Sequence, residues 1–166
     1  MILVRQISFL LRKSPIVPYK NSVDDTEMQN PTDERTRLLS IQRDLEAIKK
    51  PVSVLIVEDD DNDSHYVRAK LDTIGIASMC CRDGALASKR VQHTRFDIIF
   101  LDWKLIGQDG LSTLGEIKRN SPKTIVIVLT GYPSSEGLAT ALESGAAAIM
   151  SKPITDEQLK LIFAVS

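Results

Sequence analysis

Three apolar runs rich in β-branched residues constrain what this chain can fold into: Val52–Val57, Phe96–Trp103 and Thr124–Thr130. None alternates apolar with polar residues, and a continuous apolar run of this length reads as a strand buried on both faces of a sheet. Their carboxyl ends are polar. The first breaks into Glu58, Asp59, Asp60 and Asp61, the second carries Asp102 near its end, and the third closes on Thr130.

The stretches between have helical spacing. A helix from about Ser64 to Ile74 places Val67, Leu71 and Ile74 on one face, and others are expected at Ala85–Gln92, from Asp109-Gly110 onward, and at Gly137–Ser144. Two shorter strands, Ala77–Cys81 and Ala146–Ser151, complete the alternation. The last helix has a start signal. Thr155 and Gln158 form an S/T-x-x-Q capping box, with Ile154 and Leu159 at the positions of a hydrophobic staple. Five strands alternating with five helices predict an α/β fold, a five-stranded parallel sheet doubly wound with helices on both faces.

Residues 1–50 read as an extension and 51–166 as the main domain. Residues 14–30 mix proline with polar and acidic residues without periodicity, the pattern of a disordered linker. A helix is expected over 31–49, with Asn30 as its cap and Pro31 at its first position. Its apolar residues Leu38, Ile41, Leu45 and Ile48 follow heptad spacing, which serves either packing on the main domain or pairing with a second copy. The amino terminus, MILVRQISFLLRK, is too short to span a bilayer and lacks the charged lead of a signal peptide. The adjacent Cys80 and Cys81 match no metal-ligand spacing and read as free, buried thiols. Together these predict a cytoplasmic protein. A net charge of −1, split as +2 before Pro51 and −3 from there on, gives no electrostatic case for nucleic acid as a direct partner.

In a parallel sheet all carboxyl ends meet at one edge, where open α/β folds bind ligands. That rule gathers Glu58, Asp59, Asp102, Thr130 and Lys152. Two like charges about 4 Å apart repel by roughly 4 kcal/mol at an effective dielectric near 20, so a carboxylate cluster either raises its pKa values or binds a cation. With only oxygen ligands in the set, a hard ion such as Mg2+ is favoured over zinc. Asp60 and Asp61 read as acids of the turn into the first helix of the main domain. His65 and His93 read as surface residues.

IVEDD at 56–60, DIIFLDW…DG at 97–110, VLTG at 128–131 and SKP at 151–153, in this order at strand ends, resemble the receiver domain of two-component response regulators. The resemblance covers about Val52–Phe163 and implies the chemotaxis-type strand order 2-1-3-4-5. It also implies that Asp102 is the phosphoacceptor, supplied by a histidine kinase or histidine phosphotransfer protein. Glu58, Asp59, Asp102 and the main-chain carbonyl of Lys104 would hold Mg2+, while Thr130 and Lys152 would bind the phosphoryl oxygens. The chain would be a phosphoprotein without enzymatic turnover, apart from slow self-dephosphorylation.

The chain departs from the pattern of that family at several positions. Ile106 stands where proline is common, and Ile149 where an aromatic switch residue is common. Lys104 and Tyr132 occupy positions that flank the attacking water in receivers. Ser166 falls within or just after the last helix, so output is expected through a downstream protein, a homodimer or the extension. The face of the last two helices and the last strand is its expected site. The competing reading is a receiver-fold adaptor that is never phosphorylated. A phosphatase with an aspartyl nucleophile would carry an acid where this chain has Lys104.

Overall fold

The computed structural model describes residues 33–48, 50–132 and 135–165. Its elements are α1 (Glu34–Glu46), β1 (Val54–Val57), α2 (Asp61–Thr73), β2 (Ser78–Cys81), α3 (Gly84–His93), β3 (Ile98–Asp102), α4 (Gly110–Asn120), β4 (Ile125–Thr130), α5 (Ser135–Glu143), β5 (Ala148–Ser151) and α6 (Asp156–Phe163). The strands form one parallel sheet in the order β2-β1-β3-β4-β5, as the family resemblance implies. Buried β1 and β3 pair from Val54↔Ile98 to Val57↔Leu101, which brings their carboxyl ends level.

Successive strand residues point to opposite faces, so each continuous apolar run feeds two cores. Val54, Ile56, Ile98, Phe100, Ile127 and Leu129 pack with α1, α2 and α6. Leu55, Val57, Ile99, Leu101, Val126 and Val128 pack with α3, α4 and α5.

The extension's helix joins the first of these cores. Leu38, Ile41 and Leu45 are buried, and α1 lies against α6 and β5. Burying each such side chain stabilises the fold by about 1.5–3 kcal/mol. The heptad-spaced residues therefore serve packing within the chain. The helix is shorter than expected and begins with Asp33 as its cap, whose carboxylate accepts from the Thr36 amide. The expected cap, Asn30, and the linker at 14–30 lie outside the described residues.

A second correction concerns α2, which starts three residues before the expected Ser64. Asp60 is its cap and accepts from the amides of Asn62 and Asp63. Asp61 pairs with Arg82 at 3.1 Å. At the far end of the chain the capping box of α6 is complete, and Ile154 and Leu159 are both buried in one core. Cys81 is buried, but Cys80 is only half-buried because β2 is the edge strand. Both histidines are exposed. Among the described residues no helix is long and apolar enough to cross a membrane.

Asp97 ties the start of β3 to the segment before β1. It accepts from the Ser53 amide and hydroxyl, both at 2.9 Å, and pairs with Lys50. Burial alone would raise its pKa, but these bonds outweigh that and hold it below the usual value. Asp60 and Asp109 are likewise depressed, chiefly by helix-cap amides. A carboxyl depressed on folding stabilises the fold above its unfolded pKa, and that contribution is lost as pH falls through the folded value. Urea unfolding should therefore show stability declining below about pH 4, the unfolded aspartate range. Asp97→Ala should cost about 1–3 kcal/mol at neutral pH, a difference that shrinks in acid.

Candidate functional site

The parallel sheet brings Glu58, Asp59, Asp102, Thr130 and Lys152 to one edge. The Glu58 amide, just past β1, still bonds to the Cys81 carbonyl, which keeps the sheet regular up to the acids. Asp102 is the last residue of β3, and the next amide, Trp103, bonds to Leu129 of β4. Thr130 ends β4, and its carbonyl accepts from the Lys152 amide at 2.8 Å. Glu58, Asp102 and Thr130 are buried; Asp59 is half-buried.

Carboxylate oxygens of Glu58, Asp59 and Asp102 all lie within 4.8 Å of one another. The Lys152 ammonium caps the cluster, 2.5 Å from Glu58 Oε2 and 2.9 Å from Asp102 Oδ1. The other Asp102 oxygen accepts from the Lys104 amide at 3.1 Å, so both of its oxygens are held. Asp59 accepts from the Ile106 amide at 3.2 Å, which links the acidic cluster to the loop after β3.

The charges do not balance, because one ammonium faces several carboxylates. Burial pushes the Glu58 carboxyl above its ordinary value against the hydrogen bond from Lys152, and the charge of Asp102 adds to the rise. Burial alone would lower Lys152, but its bonds to Glu58, Asp102 and Asp63 raise it above the ordinary lysine range. Burial thus raises Glu58, whereas the surrounding carboxylates raise Lys152.

The loop after β3 is shaped by its glycines. Gly107 has φ +88°, a conformation that costs other residues strain. Gly110 opens α4 against the backbone of Trp103, where a Cβ would lie 2.7 Å from the Trp103 carbonyl oxygen. Asp109 caps that helix through the Ser112 amide at 2.7 Å. Ile106, which replaces the common proline, is 83% exposed. Tyr132 is 82% exposed, and Lys104 Nζ lies 5.3 Å from the centroid of its ring. Ile149 is half-buried and packs with Trp103 against the second core.

Sequence reasoning missed Asp63, the third carboxylate on Lys152, at 2.9 Å. In the sequence it is one more acid in the first turn of a helix. Only the docking of α2 beside the β5–α6 loop, where the Tyr66 hydroxyl donates to the Ile154 carbonyl, brings it to the lysine.

The chain has relatives among known proteins. The response regulator receiver domain profile matches residues 54–164, and the chain belongs to that family. The transcriptional regulatory protein ZraR of Klebsiella oxytoca is 32% identical over 110 residues, covering 66% of this chain and 25% of that protein. The chain thus spans about a quarter of that relative's length. A solved response regulator protein from Burkholderia pseudomallei, with a phosphorylated aspartic acid, calcium ion and citrate, has TM-score 0.62 and 25% identity, covering 67% of this chain and 66% of that one. The receiver domain of a sensor histidine kinase from Pseudomonas aeruginosa PAO1, with magnesium coordinated in its active-site cleft, has TM-score 0.63 and 26% identity, covering 69% and 95%.

Proposed function

We propose that Asp102 takes a phosphoryl group from a phosphohistidine on a histidine kinase or phosphotransfer protein, and that the modified chain signals by binding a downstream protein. The observation that carries this is the meeting of three carboxylates, Lys152 and Thr130 at the end of one parallel sheet. In the transfer an Asp102 oxygen attacks phosphorus and the P–N bond of the phosphohistidine breaks. The bonding pair goes to the imidazole nitrogen.

Lys152 and the Lys104 amide hold the two Asp102 oxygens in place before attack. Lys152 and the Thr130 hydroxyl then neutralise and bind phosphoryl oxygens, and such positioning with charge stabilisation is most of what this reaction needs. The donor set fits a hard divalent cation, being oxygen-only and compact. Glu58, Asp59, Asp102 and the Lys104 carbonyl would hold Mg2+, which when bound offsets charge on the phosphoryl oxygens.

The expected output face, here α5, β5 and α6, also carries α1 packed on β5 and α6. A partner that reads this face also meets α1. The intact acceptor set is the reason to prefer this reading over an adaptor that is never phosphorylated. Incubation with a radiolabelled phosphohistidine transfer protein and Mg2+ should move label to the wild type and not to Asp102→Asn. Failure of transfer from a panel of such donors favours the adaptor.

Lys104 Nζ lies 5.3 Å from the Tyr132 ring, and we propose that this pair, two residues past Asp102 and Thr130, restricts attacking water. A cation–π contact at an exposed site contributes about 0.5–1 kcal/mol, so Lys104→Asn/Tyr132→Ala should shorten the life of the acyl phosphate by roughly twofold to fivefold. Decay followed by intact mass after donor removal checks this. Unchanged or slower decay in the double variant counts against it.

A further inference from the structure

We infer that Asp63 is a built-in competitor for Lys152 that restrains phosphorylation of Asp102. The inference rests on the phosphoacceptor reading above. A lysine ammonium has three N–H donors, and Lys152 faces three carboxylates, Glu58 at 2.5 Å, Asp102 at 2.9 Å and Asp63 at 2.9 Å. A phosphoryl oxygen arriving on Asp102 must displace one of them.

Asp63 is the partner outside the acidic triad. Its side chain is 50% exposed, against 2% for Glu58 and 7% for Asp102, so water can most readily take the lysine's place there. The arrangement is built into the fold. The Asp63 amide is bonded to the helix cap Asp60 at 3.0 Å, and one turn onward the Tyr66 hydroxyl holds the Ile154 carbonyl at 3.1 Å. Asp63 and Lys152 line the same cleft of about 390 Å3.

Asp63 acts in two ways with one sign. It takes a share of the lysine that would bind the phosphoryl group, and it sets a negative charge near an anionic donor. Removing that charge should ease phosphorylation. It should also weaken Mg2+ binding, because the cation loses nearby negative charge and Lys152 turns more fully to Glu58 and Asp102. A mere loosening of the site would instead weaken both.

The test uses the full chain with acetyl phosphate, whose P–O bond breaks to release acetate as Asp102 is phosphorylated. Intact mass gives occupancy against donor concentration at saturating Mg2+, and calorimetric titration gives Mg2+ affinity separately. For Asp63→Asn the half-maximal donor concentration should fall by roughly threefold to tenfold, while Mg2+ affinity falls by roughly twofold to fivefold. Asp63→Glu, which keeps the charge, should stay near wild type. Asp61→Asn, two residues before Asp63 and paired with Arg82 rather than Lys152, should shift neither quantity. An Asp63→Asn variant that needs as much donor as wild type or more overturns the inference alone, as does an equal shift in Asp61→Asn. A wild type that takes up no phosphoryl group overturns the phosphoacceptor reading and this inference with it.

Discussion

Asp59→Asn should lose Mg2+ affinity by about tenfold to 100-fold or more, since even partners one shell further from a metal contribute that much. Phosphoryl uptake at fixed Mg2+ should fall with it and recover in part at high Mg2+. Asparagine suits the test because its side-chain oxygen can still accept from the Ile106 amide, which Asp59 holds at 3.2 Å. The same substitution should make the metal-free protein more stable, by about 1–2 kcal/mol after screening, because it removes one of three crowded like charges. Loss of metal affinity together with a gain in stability marks a site whose charges are kept close for binding. Calorimetric Mg2+ titration and urea unfolding give the two numbers. Unchanged Mg2+ affinity would remove Asp59 from the site.

The second large effect lies far from the acids. Ile41→Ala should cost about 2–5 kcal/mol, the range for deleting a fully buried aliphatic side chain. Ile41 sits with Leu38 and Leu45 in the core shared by α2, α6 and the strands. Domains of this size are held by about 5–15 kcal/mol in total, so this one change removes a sizeable fraction. Unfolding should remain a single transition, because α1 shares the core of the sheet. A loss under about 0.5 kcal/mol, the usual size for surface sites, would mean that α1 does not belong to that core.

Much of the fold was legible because the strands announce themselves twice. Val54–Val57, Ile98–Asp102 and Ile125–Thr130 are continuous apolar runs, and their polar ends mark the sheet edge where the site forms. Glu58, Asp59, Asp102, Thr130 and Lys152 could be gathered from that rule alone.

What stayed hidden was decided by tertiary docking. The heptad-spaced residues Leu38, Ile41 and Leu45 read the same whether they face a second copy or the chain's own α6, and only packing distinguishes the two. Four consecutive acids obscured the start of α2, since several of them were able to cap it. Asp60 does so because its backbone is extended there. Asp63 carries no local mark of its ion pair with Lys152, which lies 89 residues away and meets it only through the packing of α2 beside the β5–α6 loop. Half-buried Cys80 follows from the edge position of β2, which the family's strand order implies but the residues of that strand do not mark.

The central claim is that Asp102 is a phosphoacceptor, and intact mass after incubation with acetyl phosphate and Mg2+ tests it most directly. The wild type should gain one phosphoryl group, and chelation of Mg2+ or Asp102→Asn should abolish the gain. A wild type that stays unmodified, or an Asp102→Asn variant that gains the group equally, would contradict the account.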